Sequence, residues 1–246
     1  VLVDTRGGEL GAVDSSQVTE RKVRMDACET PDAGGKMSAA TPIRIGVLGA
    51  GTVGGHVIHL LDQWADEYAR RLGVRLDVES VLVRRLEAKR AFPIASELLS
   101  TDPYAVIDGK DVVVELIGGV EPAFDYVMAA LRKGTAVVTG NKALIASRGP
   151  ELFEAARQAN TRLYFEAAVA GAIPVIRALS GSLRGDRVRQ IAGVVNGTTN
   201  FILDAMTTRG ADYNEALTQA QELGFAEADP SADVEGYDAS AKCAIM

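Results

Sequence analysis

A glycine-rich turn between an apolar segment and a helical pattern constrains this chain more than any other feature. The turn has the spacing G-x-G-x-x-G over residues 49–54. It follows the apolar run Ile43–Gly49 and leads into an amphipathic pattern from about Val53 to Arg70, after which a second β-branched run covers about Val78–Val83. This order predicts a strand, a helix and a second, parallel strand, with the turn facing a ligand.

Each glycine of the turn has its own physical role in such a unit. The first permits a tight turn, the second lets a ligand approach the backbone without meeting a Cβ, and the third lets the helix pack closely on the strand. A pyrophosphate would then lie at the positively polarised N-terminus of the helix. The alternative is a turn that is glycine-rich for steric reasons alone. The predicted dinucleotide-binding residues are Gly49, Gly51, Thr52, Val53 and Gly54.

Beyond this unit, β-branched runs continue to alternate with longer amphipathic ones, which predicts a parallel α/β sheet. We expect further strands over Val112–Leu116, Ala136–Thr139 and Leu163–Glu166, and helices that begin near Pro122 and Pro150. Strands that are apolar throughout indicate a sheet covered on both faces. Together these patterns predict a doubly wound parallel sheet of the Rossmann type.

Composition and pattern divide the chain into three parts. Residues 1–40 are polar and glycine-containing without sustained periodicity, so we expect a flexible N-terminal extension. Residues 41–165 contain the predicted Rossmann domain. Residues 166–246 begin with small residues and then offer a strand over Val188–Val195, so we predict part of a second, α+β domain there.

Two loops at the carboxyl ends of predicted strands are candidates for further cofactor contacts. After the second strand the chain has Arg84 and Arg85, where NAD-selective proteins usually carry an acidic residue, and cations there favour the 2′-phosphate of NADP. A solvated basic turn is the alternative interpretation. Ile117 and Gly118 follow another strand and are expected to face the same crevice.

Two lysines are candidates for chemistry. Lys142 follows a predicted parallel strand, which directs it towards the ligand crevice, although an exposed surface lysine is the alternative. Asp238 and Lys242 are one helical turn apart and can face one ligand, although a solvated helix face would show the same spacing. Oxidation of an alcohol by a nicotinamide cofactor needs a proton relay, and a lysine can serve when burial or a second cation favours its neutral form.

A glycine-threonine segment follows the strand expected over Val188–Val195. Gly197 could let a substrate or the nicotinamide approach the backbone. Thr198 and Thr199 could instead cap the helix that follows.

Charge and cysteine content exclude several other classes of protein. The formal net charge is −7 and the pI is about 5.0, which disfavours partners such as nucleic acid or an anionic membrane surface. Cys28 and Cys243 are far apart and suggest neither a disulfide framework nor a zinc site, so we expect a cytoplasmic protein. His56 and His59 lack a third ligand nearby in sequence, which disfavours a metal hydrolase.

An ordered series of motifs over about Ile43–Met246 resembles the homoserine dehydrogenase family. The series comprises the glycine turn, Glu115–Gly119, Asn141–Ala143, Asn196–Asn200, and Glu227–Pro230 leading through Asp233–Asp238 to Lys242. The resemblance implies NAD(P)-dependent interconversion of L-homoserine and L-aspartate 4-semialdehyde, in the biosynthesis of threonine, methionine and isoleucine. It also implies a homodimer formed through the second domain.

The resemblance further implies roles for individual residues. Lys142 and Lys242 would assist proton transfer and orient the hydroxyl, and Lys142 would also contact the cofactor. The substrate-binding residues would be Glu227, Asp233, Asp238, Gly197 and Thr198. A monovalent cation such as sodium would be bound near the active site, with a plain glycine turn as the alternative; its ligands would be Glu166, Val169, Gly171 and Ile173.

Members of the family continue well past the position that corresponds to Met246. We therefore expect this chain to be a fragment or truncated product with reduced stability and little activity by itself. Two other functions stay open on the residues alone. One is a different amino-acid-linked NAD(P) oxidoreductase, and the other is a non-catalytic NADP-binding fragment.

Overall fold

A computed structural model of the chain describes residues 41–246, so the predicted extension over residues 1–40 lies outside the described residues. Its strands are β1 (Thr41–Leu48), β2 (Val74–Leu82), β3 (Leu99–Ser100), β4 (Val112–Glu115), β5 (Ala136–Thr139) and β6 (Leu163–Tyr164). They form one parallel sheet with the order β3-β2-β1-β4-β5-β6. The predicted Rossmann arrangement is confirmed, and the order reverses between β1 and β4, where such sheets open a ligand crevice.

Helices connect the strands and continue after the sheet ends. They are α1 (Thr52–Gln63), α2 (Ala65–Leu72), α3 (Pro103–Ile107), α4 (Ala123–Arg132), α5 (Lys142–Gln158), α6 (Val175–Arg177), α7 (Gly197–Arg209), α8 (Tyr213–Glu222), α9 (Ser231–Val234) and α10 (Tyr237–Ile245). Among residues 41–246, no helix has both the length and the apolar character of a membrane span.

Both faces of the sheet are buried, as the apolar strands predict. Val47 and Leu48 are adjacent in β1 and point to opposite faces, and neither is exposed. Val47 packs with Ile58 of α1, whereas Leu48 belongs to the core that contains Leu131 of α4 and Leu152 of α5. The two cores hold the carboxyl ends of β1, β4 and β5 at one edge of the sheet.

Two predicted helices have different bounds in the structure. The helix expected from about Val53 to Arg70 is interrupted at Trp64, which separates α1 from α2. The helix expected from Pro150 begins at Lys142, because the Asn141 side chain accepts the N–H of Leu144 and caps the first turn. Pro150 lies inside α5, and Lys142 is its first residue rather than part of a loop.

The strand predicted over Val188–Val195 is wrong, because these residues have no regular secondary structure in the described part of the chain. A strand is stable only where a neighbour supplies backbone partners, and no strand within residues 41–246 pairs with this segment. Val188 and Val194 are instead exposed. The described part after the sheet is helical, with a small core of its own between α7 and α8.

The strand predicted over Leu163–Glu166 ends early, at Tyr164. Glu166 instead begins a short 3-10 turn, and its carboxylate accepts the N–H groups of Ile176 at 3.0 Å and Arg177 at 2.9 Å. These bonds hold the first turn of α6.

Candidate active site

The glycine turn between β1 and α1 has the geometry that a bound pyrophosphate requires. Gly49 has a φ of +104°, and a Cβ there would lie 2.9 Å from the carbonyl oxygen of Leu116. A Cβ on Gly54 would lie 2.0 Å from the carbonyl oxygen of Gly49, so only glycine allows this approach of helix and strand. A Cβ on Gly51 would meet nothing within 4 Å, which leaves this backbone open to a ligand.

A cleft of about 620 Å³ opens over this turn. Its wall is formed by the glycine turn and the basic loop after β2, together with the start of the loop after β4; the predicted residues among its lining are Gly49, Gly51, Thr52, Arg84 and Ile117. Val53 is 60% exposed and does not line the cleft, and Gly54 lies buried behind the turn. The cleft therefore joins a phosphate-binding helix terminus to a cationic wall.

Arg90 orders the basic loop after β2. Its guanidinium donates to the carbonyl oxygens of Arg85 at 2.7 Å, Ala88 at 2.9 Å and Leu86 at 3.0 Å. Arg84 and Arg85 are left exposed at the cleft, so their charges are available to an anionic ligand.

Two distant lysines meet at one buried carboxylate. Lys142 begins α5, and Lys242 lies on α10, which packs against α5. The Nζ atom of Lys142 donates to one oxygen of Asp238, and the Nζ atom of Lys242 donates to the other at 2.7 Å. The carboxylate therefore brings both ammonium groups together at one place in the molecule.

The environment of Asp238 favours its ionised form. Burial by itself would raise the pKa of this carboxyl, but hydrogen bonds from Lys142, Lys242 and Asn196, with the positive charge of Lys142, outweigh burial and lower the pKa to about 2. Asn196 also donates to Asp233 at 2.7 Å, which brings Asp233 to the edge of the cluster.

The other three predicted substrate residues differ in their exposure and in the contacts that they make. Gly197 is exposed at the first position of α7. Thr198 is buried, and its hydroxyl donates to the carbonyl oxygen of Phe225 at 2.6 Å. The Glu227 side chain is exposed and forms no ion pair with the lysines within residues 41–246.

The segment proposed to bind a cation is sharply bent. Ala170 and Gly171 have φ values of +59° and +54°. The Glu166 carboxylate accepts the N–H groups of Ile176 and Arg177, and the carbonyl of Ile173 accepts the N–H of Val175 at 2.8 Å. Within the described residues, no group of three or more His, Cys, Asp or Glu side chains is arranged to hold a metal ion.

Two polar residues of the site belong to motifs of the sequence series, but the sequence by itself assigned neither of them a role. Asn196 caps α7 by accepting the N–H of Thr199 at 2.8 Å, so the capping role considered for Thr198 and Thr199 is wrong. An asparagine directly before a helix is a capping signal and could have identified it. Glu115 ends β4, where its carboxylate is fully buried, and an acidic residue at the end of an apolar strand is the local signal that could have identified it.

Family models match both parts of the described chain. A model described as homoserine dehydrogenase, NAD binding domain, matches residues 49–166, and one described as homoserine dehydrogenase matches residues 174–246. The homoserine dehydrogenase of Corynebacterium glutamicum is 49% identical over 224 residues, which are 90% of this chain and 50% of that protein. That of Mycobacterium tuberculosis H37Rv is 51% identical over 207 residues, which are 83% and 46%. The chain thus spans about half the length of the curated relatives it matches.

Solved structures give the same result. A homoserine dehydrogenase from Thiobacillus denitrificans has a TM-score of 0.75 and 47% identity, over 82% of this chain and 47% of that one. A hyperthermophilic archaeal homoserine dehydrogenase in complex with NADPH has a TM-score of 0.71 and 32% identity, over 83% of this chain and 68% of that one. The chain described here belongs to the homoserine dehydrogenase family.

Proposed function

We propose that this protein catalyses the NAD(P)-dependent interconversion of L-homoserine and L-aspartate 4-semialdehyde. The observation that carries the proposal is the meeting of Lys142 and Lys242 at the Asp238 carboxylate. This cluster follows the carboxyl end of β5, and the cleft follows the ends of β1 and β2, so both lie at the ligand-binding edge of the sheet. The family relationship supports the same substrate pair.

The residues of the cluster divide the chemistry between them. The bound cofactor supplies the hydride acceptor. One of the two lysines, Lys142 or Lys242, gives a proton to solvent and then takes up the hydroxyl proton on its amine, while the ammonium group of the other holds the substrate oxygen and stabilises negative charge on it. Asp238 orients both ammonium groups through hydrogen bonds. Glu227 and Asp233 supply carboxylates for the cationic amino group of the substrate.

We also propose NADP as the preferred cofactor. Arg84 and Arg85 line the cleft after β2, where a 2′-phosphate would lie, and Arg90 holds their loop in place. The backbone at Gly51, which is open to the cleft, would accommodate the pyrophosphate. The ratio of kcat/KM for NADP to that for NAD measures this preference.

Three further assignments belong to the same proposal. A monovalent cation would be held by oxygens of Glu166, Val169, Gly171 and Ile173. The nucleotide-binding domain would cover residues 41–165 and the catalytic part residues 166–246, in keeping with a sheet that ends at Tyr164. The protein would form a homodimer, which size-exclusion chromatography with light scattering would measure.

Homoserine-dependent reduction of NADP by the full protein, as its gene encodes it, tests the activity. We expect Lys242→Ala to lower kcat by at least about 100-fold, since it removes a group of the proton relay, while NADPH binding persists. The matched control is Lys133→Ala, because Lys133 is an exposed lysine at the end of α4 that pairs with Asp108 at 2.8 Å. That control should retain wild-type turnover.

Three outcomes would contradict the proposal. Unchanged turnover in Lys242→Ala would show that this lysine takes no part in the proton transfer. Activity with another amino-acid alcohol but not homoserine would indicate a different oxidoreductase. Binding of NADPH without turnover of any substrate would indicate a non-catalytic nucleotide-binding protein.

A further inference from the structure

A buried carboxylate lies between the loop after β4 and the start of α5. Glu115 is the last residue of β4, and none of its surface is exposed. Its Oε1 atom accepts the N–H groups of Ile117 at 2.8 Å and Gly118 at 3.4 Å, and the Nδ2 group of Asn141 at 3.4 Å. Its Oε2 atom accepts the hydroxyl of Thr139 at 2.5 Å. All four donors are uncharged.

Strand pairing does not explain a charged residue at this position. Burying a carboxylate is unfavourable unless hydrogen bonds replace those that it makes with water. An apolar side chain, like those of the three valines before it, would fill the strand without that cost. The reason for Glu115 therefore lies in the groups that it connects.

Those groups form a continuous network from the cofactor loop to Lys142. Thr139 Oγ1 donates to Glu115 and accepts the N–H of Asn141 at 2.9 Å. Asn141 donates to the carbonyl oxygen of Gly119 at 2.6 Å, which ties it to the loop after β4, and it caps the helix that begins at Lys142. Glu115 thus contacts both the loop and the residue that caps the helix of Lys142.

We propose that Glu115 is a positioning residue, which fixes the loop Ile117–Gly119 and the N-terminus of α5 relative to each other and so sets Lys142 against the bound cofactor. The half of this proposal that concerns Lys142 rests on the proposed function. The half that concerns the loop rests only on the NAD(P)-binding domain of the family.

Three variants of the full protein test it. Glu115→Gln keeps the shape but places an NH₂ group against Thr139, and Thr139→Val keeps the shape but removes the hydroxyl. Thr139→Ser is the matched control, because it keeps the hydroxyl. Thermal unfolding, the Kd for NADPH, and kcat and KM for homoserine are measured for each.

We expect Glu115→Gln and Thr139→Val to lower kcat by about 10- to 100-fold, as small displacements of reacting groups do, with a smaller change in the KM for homoserine. Both should also weaken NADPH binding several-fold at temperatures where they remain folded. In Thr139→Ser both kcat and the Kd for NADPH should stay within about twofold of wild type, since serine keeps the hydroxyl that bonds to Glu115. If Glu115→Gln does not fold, the comparison of the two Thr139 variants tests whether the network around Glu115 positions the loop and Lys142.

A merely structural role predicts a different pattern. A lower Tm with unchanged Kd and kcat in Glu115→Gln, or equal effects of the two Thr139 variants, would overturn the proposal. If the wild-type protein binds NADPH but does not oxidise homoserine, the proposed function fails on its own. In that case the Kd values still show whether Glu115 positions the cofactor loop.

Discussion

At the scale of single residues, Asp238 joins groups from three parts of the chain. It accepts hydrogen bonds from Lys142, Lys242 and Asn196, and no other carboxylate within residues 41–246 pairs with two lysines. Since its pKa is lowered to about 2, it is ionised at neutral pH. The positions of both ammonium groups thus depend on one anion.

This environment predicts a specific loss of stability in acid. The pKa of Asp238 is lower in the folded chain than its ordinary value of 3.8, so its stabilising contribution is complete above about pH 4 and is lost as the pH falls towards 2. We expect Asp238→Asn to be less stable than wild type at pH 7, and the difference in unfolding free energy to shrink by about 2 kcal/mol near pH 2.

Urea unfolding of both proteins across this pH range gives the measurement. Asp111 and Glu154 also have pKa values lowered to about 2, by hydrogen bonds from Arg44 and Arg157 respectively. Their titration is common to both proteins and cancels in the difference. A difference that does not vary with pH would show that Asp238 gains nothing from its charge.

At the scale of elements, the turn from β1 to α1 separates two roles of glycine. Gly54 allows the helix to pack on the strand, whereas Gly51 leaves room for a ligand. The two positions are three residues apart in one turn. A side chain at Gly54 should therefore lower stability, whereas a side chain at Gly51 should weaken ligand binding.

We expect Gly54→Ala to destabilise the fold by about 1 to 3 kcal/mol, because the new Cβ would lie 2.0 Å from a backbone oxygen. Gly51→Ala should unfold at nearly the wild-type temperature but bind NADPH at least about tenfold more weakly, because its Cβ would enter the space of the pyrophosphate. Calorimetry and a binding titration measure the two effects. Equal NADPH affinity in Gly51→Ala and wild type would place the pyrophosphate elsewhere.

At the scale of the whole molecule, the cofactor cleft and the lysine cluster are built by different parts of the chain. The cleft belongs to the sheet and its loops, whereas the cluster needs α10 packed on α5, with Ile245 of α10 against the sheet core. Lys142 and Asp238 are 96 positions apart. Assembly of the complete site therefore depends on tertiary packing between the sheet and the helices that follow it.

Because the cofactor cleft exists only in the folded chain, cofactor binding should raise the free energy of unfolding. NADPH at about 100 times its Kd should add about 2.7 kcal/mol to the unfolding free energy, by mass action on the folded state. The Tm should rise with NADPH concentration in wild type and Asp238→Asn but much less in Gly51→Ala. A Tm that does not respond to NADPH in wild type would contradict a preformed cofactor cleft.

Local patterns in the sequence determined the Rossmann sheet, the phosphate-binding turn and the spacing of Asp238 and Lys242, because each depends on residues a few positions apart. Tertiary structure alone decided that Lys142 meets Asp238, that Asn196 joins them, and that residues 188–195 form no strand among the described residues. Such contacts depend on which elements pack together and which backbone groups find partners. Periodicity along the chain does not carry that information.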